Sequence, residues 1–205
     1  MLAFSSIAHS GYMMIGLIAG SRGGIDAILF YLLAYGLMNT GAFAVMAGLE
    51  RQGEEIESLD DLAGLRQRHP AMAWAMALCS GSLLGFPPLL GFVGKLFLFI
   101  AGVQSGQIAL VVIAGLNSAI SAWYYLRLVG MPILAGPTPC SETVHRSPVQ
   151  WPRVAALGTA IAVVVLPIFS DQLMNAATKA TGAEVIEAPD SVTELPVPAE
   201  STDRA

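Results

Sequence analysis

The sequence predicts an all-α polytopic membrane protein of about five transmembrane helices, one of them discontinuous. Three observations lead there. Of its 205 residues 55% are hydrophobic and only 12% charged, with a mean hydropathy of +0.64, whereas a soluble domain carries about 25% charged residues. The apolar residues come in runs close to the ~20 that cross a bilayer as a helix. One of these runs, residues 70–104, is too long for a plain crossing and is interrupted at Gly85-Phe86-Pro87-Pro88.

Taken in order, the first span covers about 2–20. No basic segment precedes its apolar run, which continues at full membrane length, so it reads as a span and not as a secretory signal. A polar turn, Ser21-Arg22-Gly23-Gly24, leads to the second span, about 26–49. Asp26 stands at its N-terminal end, where the helix dipole favours an anion. The charged loop from Glu50 to His69 follows, its stretch to Asp61 reading as solvated, and Pro70 suits the first turn of the next helix.

As one continuous helix, residues 70–104 would reach about 50 Å at 1.5 Å per residue, against a hydrocarbon core of about 30 Å. Pro87-Pro88 removes two backbone donors and forbids regular helix. The segment is therefore either a hairpin of two short helices or one crossing made of two half-helices, broken near 85–88. After a turn at 104–107 comes a span at about 108–129, ending in Trp123, Tyr124, Tyr125 and Arg127, which read as an interfacial belt. A proline-rich loop, 130–153, leads to the last span, about 154–170, with a bend at Pro167. The transmembrane helical domain is thus 1–175. Residues 176–205 form an acidic tail expected to be disordered.

Charge decides between hairpin and single crossing. With one crossing, loops 50–69 and 130–153 share a side that holds Arg51, Arg66, Arg68, Arg146 and Arg153, with Arg127 at its edge, against Arg22, Lys179 and the distant Arg204 opposite. With a hairpin the asymmetry vanishes. The positive-inside tendency selects five spans, with the N-terminus of the segment and both basic loops cytoplasmic and the acidic tail outside.

The broken segment carries Lys95, its one ionisable group besides the Cys79 thiol. Irregular backbone at membrane depth is tolerated where it is buried in protein or lines a wet cavity, and discontinuous helices mark ion or substrate sites. A lysine at that depth is costly and reads as functional: it can load and release a proton as neighbouring charges change. Gly91 and Gly94 allow another helix or water to approach it. The bland alternative is a snorkelling interfacial lysine. The chain offers no acid at the same depth, so a charged partner must come from elsewhere. His9, the one histidine inside a span, has Ser5, Ser6 and Tyr12 within helical reach and can relay protons; its bland alternative is a structural histidine with one interhelical hydrogen bond. Asn39, Thr40, Ser80, Ser82, Asn117, Ser118 and Ser121 can line a hydrated path or simply pack helices.

Several classes are excluded. Cys79 and Cys140 lack metal-ligand spacing, no basic patch suits nucleic acid, and there is no dinucleotide, phosphate-loop, CxxC or triad pattern.

The segments LAFSSIAHSGYMMIGLIAG, YLLAYGLMNTGAFAVM, DDLAGLRQRHP and LLGFPPLLGFVGKLFLF, the last followed by SAISAWYYLR, resemble the antiporter-like, proton-translocating membrane subunits of respiratory complex I, the bacterial NADH:quinone oxidoreductase. Within that family Lys95 and SAISAWYYLR are most similar to the N branch, since the M branch carries a glutamate at the lysine position. The similarity covers residues 1–130 well and the rest poorly. It implies two inverted five-helix repeats, each with a discontinuous helix, and a proton path ending at a lysine on the second of these. Lys95 matches that lysine, and His9 matches the histidine of an SxxH motif near the second half-channel. On this resemblance the chain is a C-terminal portion, helices ten to fourteen of a fourteen-helix subunit of the bacterial inner membrane, with its tail periplasmic. The implied partners are the M subunit, the small subunits K, A and J, and the lipid bilayer. NADH, FMN, iron–sulfur clusters and quinone belong to the parent complex and none to this chain. Two further readings stay open: a cation/proton antiporter subunit of the multisubunit sodium/proton type, and a structural membrane module without proton traffic.

Overall fold

The computed structural model describes residues 2–20, 22–51, 54–55, 58–138, 144–146 and 149–181. Apolar runs without proline in their interiors give α1 (Leu2–Ala19) and α2 (Arg22–Ala47). Strands β1 (Leu49–Arg51) and β2 (Glu54–Glu55) and a short 3-10 turn at Leu59–Leu62 lead to α3 (Leu65–Arg68). Then come α4 (Pro70–Leu84), α5 (Leu90–Gln104) and α6 (Ile108–Ile133), followed by β3 (Val144–Arg146), α7 (Trp151–Val165), a 3-10 turn at Leu166–Phe169 and α8 (Ser170–Ala180). Among the described residues four helical stretches are long and apolar enough to cross a membrane: Leu2–Ala19, Gly23–Ala47, Ile108–Ile133 and Trp151–Ala180.

The two remaining apolar helices, α4 and α5, have 15 residues each, about 22 Å apiece and too short for a core of about 30 Å. The sheet shows how they cross. β1, just past the end of α2, pairs antiparallel with both β2 and β3, and β3 lies between α6 and α7. The end of α2 and the start of α7 therefore lie on one face. The Gly64 amide donates to the Met131 carbonyl at the end of α6, which puts the start of α4 there too. A short turn joins α5 to α6, so α5 ends on the opposite face. The α4–α5 pair makes one crossing, and with it the described residues make five.

Several boundaries differ from the sequence reading. α2 begins at Arg22, so Asp26 stands one turn inside the helix, and α6 continues through Pro132. The tail was expected from residue 176, but α8 runs to Ala180; Thr178 and Thr181 fasten this end to Asp26, their hydroxyls donating to its carboxylate oxygens at 2.9 and 2.8 Å. The stretch to Asp61 is not wholly solvated either: Asp61 is 1% exposed, accepts the Ser58 amide at its carboxylate, and sits with Leu62 and Leu65 in the packed interior. Cys140 and residues 182–205 lie outside the described residues.

α2 is the hub, packed by α1, α4, α5, α7 and α8. Its Phe30, Tyr31, Ala34, Met38, Ala42 and Val45 are buried. The outward faces carry Phe4, Ile120, Trp123 and Ile168, each more than 70% exposed, the apolar periphery that lipid or further membrane helices would cover.

Candidate functional site

The site grows from the break in the third crossing, between α4 and α5. α4 ends because Gly85 takes a left-handed conformation, φ 92°, which glycine adopts without penalty. The Gly85 amide donates to the carbonyls of Gly81 and Ser82, and the Phe86 amide to that of Gly81. The last carbonyls of a helix lack intrahelical partners and carry its partial negative charge. Here Lys95 supplies them: its Nζ donates to the Leu83 and Leu84 carbonyls, 3.0 Å each, and to Ser118 Oγ at 3.1 Å. Three ammonium donors meet three acceptors, all neutral. The lysine is 5% exposed, and its Nζ stands 5.0 Å from the centre of the Tyr12 ring.

The second half-helix is treated reciprocally. α5 starts at Leu90 without a side-chain cap of its own, and the Gly91 amide donates to Ser82 Oγ on α4 at 2.9 Å. Each half of the crossing thus caps the other, Lys95 from α5 and Ser82 from α4. Gly91 and Gly94 let neighbouring helices come close, as the sequence suggested: a Cβ at Gly91 would overlap the Ser82 carbonyl of α4, and one at Gly94 would stand 2.7 Å from the Tyr31 ring of α2. A cavity of about 400 Å³ opens beside the break, bounded by Gly85, Phe86, Lys95 and Ser118 among others.

His9 lies in a second cluster. Its Nδ1 is 2.6 Å from the Tyr31 hydroxyl and its Nε2 is 2.8 Å from that of Tyr125. A neutral imidazole has one N–H and one acceptor nitrogen, so it donates to one phenol and accepts from the other. Tyr125 also hydrogen-bonds Ser5, and Tyr35 donates to Ser6 Oγ at 2.8 Å while its ring stacks on the imidazole, centroids 4.8 Å apart. His9 is 1% exposed. The hydroxyls that bond it are those of Tyr31 and Tyr125, and not the expected Ser5, Ser6 and Tyr12: Ser5 bonds Tyr125, Ser6 bonds Tyr35, and Tyr12 meets the imidazole with its ring.

Two helix faces build this arrangement. Ser5, His9 and Tyr12 recur at helical spacing on α1, and Asn117, Ser118, Ser121 and Tyr125 do so on α6. Facing one another, they bring Lys95 and His9 into a single polar seam. Of the other path candidates, Ser82 belongs to the break, Thr40 is exposed, and Ser80 Oγ and Asn39 Oδ1 are buried without a hydrogen-bond partner. Tyr125 was expected in an interfacial belt, yet it is 1% exposed and central, while Trp123, 77% exposed, faces outward. Tyr31 and Tyr35 went unremarked in the sequence, although two tyrosines four residues apart within a span should each find a partner for the hydroxyl. Among the described residues no cluster of metal-ligating side chains occurs.

The model of the family described as "NADH:quinone oxidoreductase/Mrp antiporter, TM" matches residues 1–121. NADH-quinone oxidoreductase subunit N of Rhodospirillum rubrum is 38% identical over 183 residues, covering 89% of this chain and 37% of the relative. Subunit N of Chloroflexus aggregans is 43% identical over 173 residues, 83% and 35% of the two chains. The chain therefore spans just over a third of the length of these relatives. A chain of respiratory complex I from Thermus thermophilus with bound aureothin superposes with a TM-score of 0.73 at 34% identity, over 86% of this chain and 39% of that one. A chain of the Mrp complex from Dietzia sp. also gives 0.73, at 22% identity over 88% and 41%, which is a likeness of fold.

Proposed function

The chain belongs to the NADH:quinone oxidoreductase/Mrp antiporter transmembrane family, and we propose that it forms part of a subunit that moves protons across the membrane while NADH oxidation and quinone reduction proceed on other subunits. The observation that carries this reading is the lysine in the break. A lysine kept only for packing would have no cause to lie buried at mid-crossing, its three donors spread over two helix-end carbonyls and a hydroxyl. An ammonium so placed takes up and gives back a proton as the charges around it change, and His9 is the second carrier.

The identity to relatives named subunit N, 38 and 43%, supports the complex I reading over the sodium/proton antiporter reading, whose Mrp neighbour is 22% identical. In this reading NADH, FMN, iron–sulfur clusters and quinone are held elsewhere. The adjoining chains are the M subunit and the small K, A and J subunits, and the membrane is the bacterial inner membrane. The face that holds both basic loops is cytoplasmic by the positive-inside tendency.

The test is Lys95→Met in the complete complex, in sealed vesicles, with NADH oxidation and proton translocation measured together. The expected result is an assembled complex that translocates fewer protons per NADH oxidised; an unchanged ratio overturns the reading. Sodium-dependent exchange without NADH oxidation would favour the antiporter reading instead.

A further inference from the structure

Lys95 and His9 sit in separate hydrogen-bonded clusters, and Tyr31 stands between them. Its hydroxyl is 2.6 Å from His9 Nδ1. Its ring lies against Gly94, the residue before Lys95 on α5, where a Cβ would stand 2.7 Å from Tyr31 Cδ2 and 3.4 Å from Cε2. Tyr31 is 0% exposed, and among the described residues His9 Nδ1 is the one hydrogen-bond partner of its hydroxyl. That decides the direction of the bond. If Nδ1 carried the ring proton and donated, the phenol proton would be buried without an acceptor, which folded proteins avoid. Tyr31 therefore donates to Nδ1. The ring proton is then on Nε2, which donates to the Tyr125 oxygen at 2.8 Å, and Tyr125 donates in turn to Ser5 Oγ. The four groups form one row with one direction, Tyr31 to His9 to Tyr125 to Ser5.

Building on the proposed proton-carrying role, we infer that Tyr31 is the positioning residue of His9, holding it in the Nε2–H tautomer and tying that state to the half-helix that carries Lys95. The Tyr31 hydroxyl fills the free lone pair of the imidazole, so His9 takes a second proton only once that hydroxyl turns from donor to acceptor or swings away. The place of the hydroxyl is set by the ring behind it, and that ring abuts α5 at Gly94 with no side chain between. Lys95 fastens α5 to the end of α4 through the Leu83 and Leu84 carbonyls, and to α6 through Ser118. A neutral amine has two N–H donors where the ammonium has three. Loss of the lysine's proton thus releases one of these ties and lets α5 shift against Tyr31, so the lysine governs when the histidine is free to be charged.

The first measurement needs no substitution in the row. In the complete complex with ¹⁵N-labelled histidine, the His9 resonances, assigned by their loss in His9→Gln, should show the proton on Nε2 and an accepting Nδ1. A proton on Nδ1 would overturn the inference, and because this is read in the native complex, poor assembly of a variant does not obscure it. Gly94→Ala adds one methyl and no charge; it should move the Nδ1 resonance and lower the protons translocated per NADH in sealed vesicles. Tyr31→Phe keeps the ring and removes the hydroxyl, so the proton should distribute over both nitrogens and the ratio should fall. Gly94→Ala added to Tyr31→Phe should lower the ratio no further, because a contact acting through that hydroxyl has nothing left to act on. Unmoved resonances in Gly94→Ala, or a further loss in the double variant, would overturn the tie to the half-helix. A Tyr31→Phe complex with native tautomer and native ratio would make Tyr31 a packing residue and overturn the inference as a whole. A native ratio in Lys95→Met would instead overturn the proposed function, while the His9 resonances would still decide what holds the imidazole.

Discussion

Lys95 and His9 are both almost wholly buried within the membrane-spanning layer, 5% and 1% exposed, yet they are held by different chemistry. Two of the three acceptors of Lys95 are backbone carbonyls released by a helix break, while His9 is held by phenol hydroxyls from α2 and α6. The lysine's setting is a property of backbone geometry. The histidine's setting is a property of side chains, which any one substitution can edit. The lysine should therefore be most sensitive to changes that alter how the half-helices meet, and the histidine to loss of single hydroxyls.

Gly91→Ala attacks the lysine's side of that contrast and should have the largest effect. The added methyl would overlap the Ser82 carbonyl and stand 2.6 Å from Met38 Sδ, so the half-helices must shift, an overpacking cost of about 1–3 kcal/mol. Thermal unfolding of the purified complex and its proton-to-NADH ratio should both fall. Wild-type values for both would mean that the break tolerates rearrangement and that the lysine's seat is not set by backbone geometry.

Tyr125→Phe edits the histidine's side. It removes one hydroxyl partner of His9 and the partner of Ser5, and hydrogen bonds within membranes are worth about 0.6 kcal/mol on average and up to about 1.7. Stability should drop less than in Gly91→Ala. The ¹⁵N resonances of the His9 imidazole should shift as Nε2 loses its partner, while the electrons delivered to quinone per NADH stay the same. Unmoved resonances would show that the phenol does not hold the ring.

The same difference explains what could be read in advance. The break, the lysine and the single crossing were legible because proline and glycine act locally and charge bias is additive along a chain. Pairing of β1 with β3 then put loops 50–69 and 130–153 on one face, as the arginine distribution required. The phenol cluster was less legible. Tyr31, Tyr35 and Tyr125 come from two helices, and their meeting with His9 depends on helix rotation, which α2 and α6, apolar over most of their length, mark only weakly in sequence. Placed beside Trp123 and Tyr124, Tyr125 looked like part of a belt. Its spacing of four from Ser121 was the better signal, since it put Tyr125 on the polar face. For α8, the mixture of Asp171, Gln172, Asn175 and Lys179 concealed a helix whose end is held by hydroxyls reaching Asp26.

That last contact supplies the smallest effect and the sharpest control. Asp26 is another buried ionisable group, 6% exposed, and the Thr178 and Thr181 hydroxyls donate to its two carboxylate oxygens. It lies outside the seam between α1 and α6, and no hydrogen bond described here links it to Lys95 or His9. If burial alone made a titratable group part of the proton path, Asp26 would qualify. If membership of a connected row is what matters, it would not. Thr178→Val removes one of its two hydroxyl donors at nearly constant volume and leaves Thr181 in place, so the loss should be about 0.6 kcal/mol, the average for one membrane hydrogen bond. The expected outcome is a small loss of thermal stability, faster proteolysis after α8, and an unchanged proton-to-NADH ratio. A fallen ratio in an assembled complex would join Asp26 to the path and erase the distinction between groups that carry protons and a group that fastens a helix.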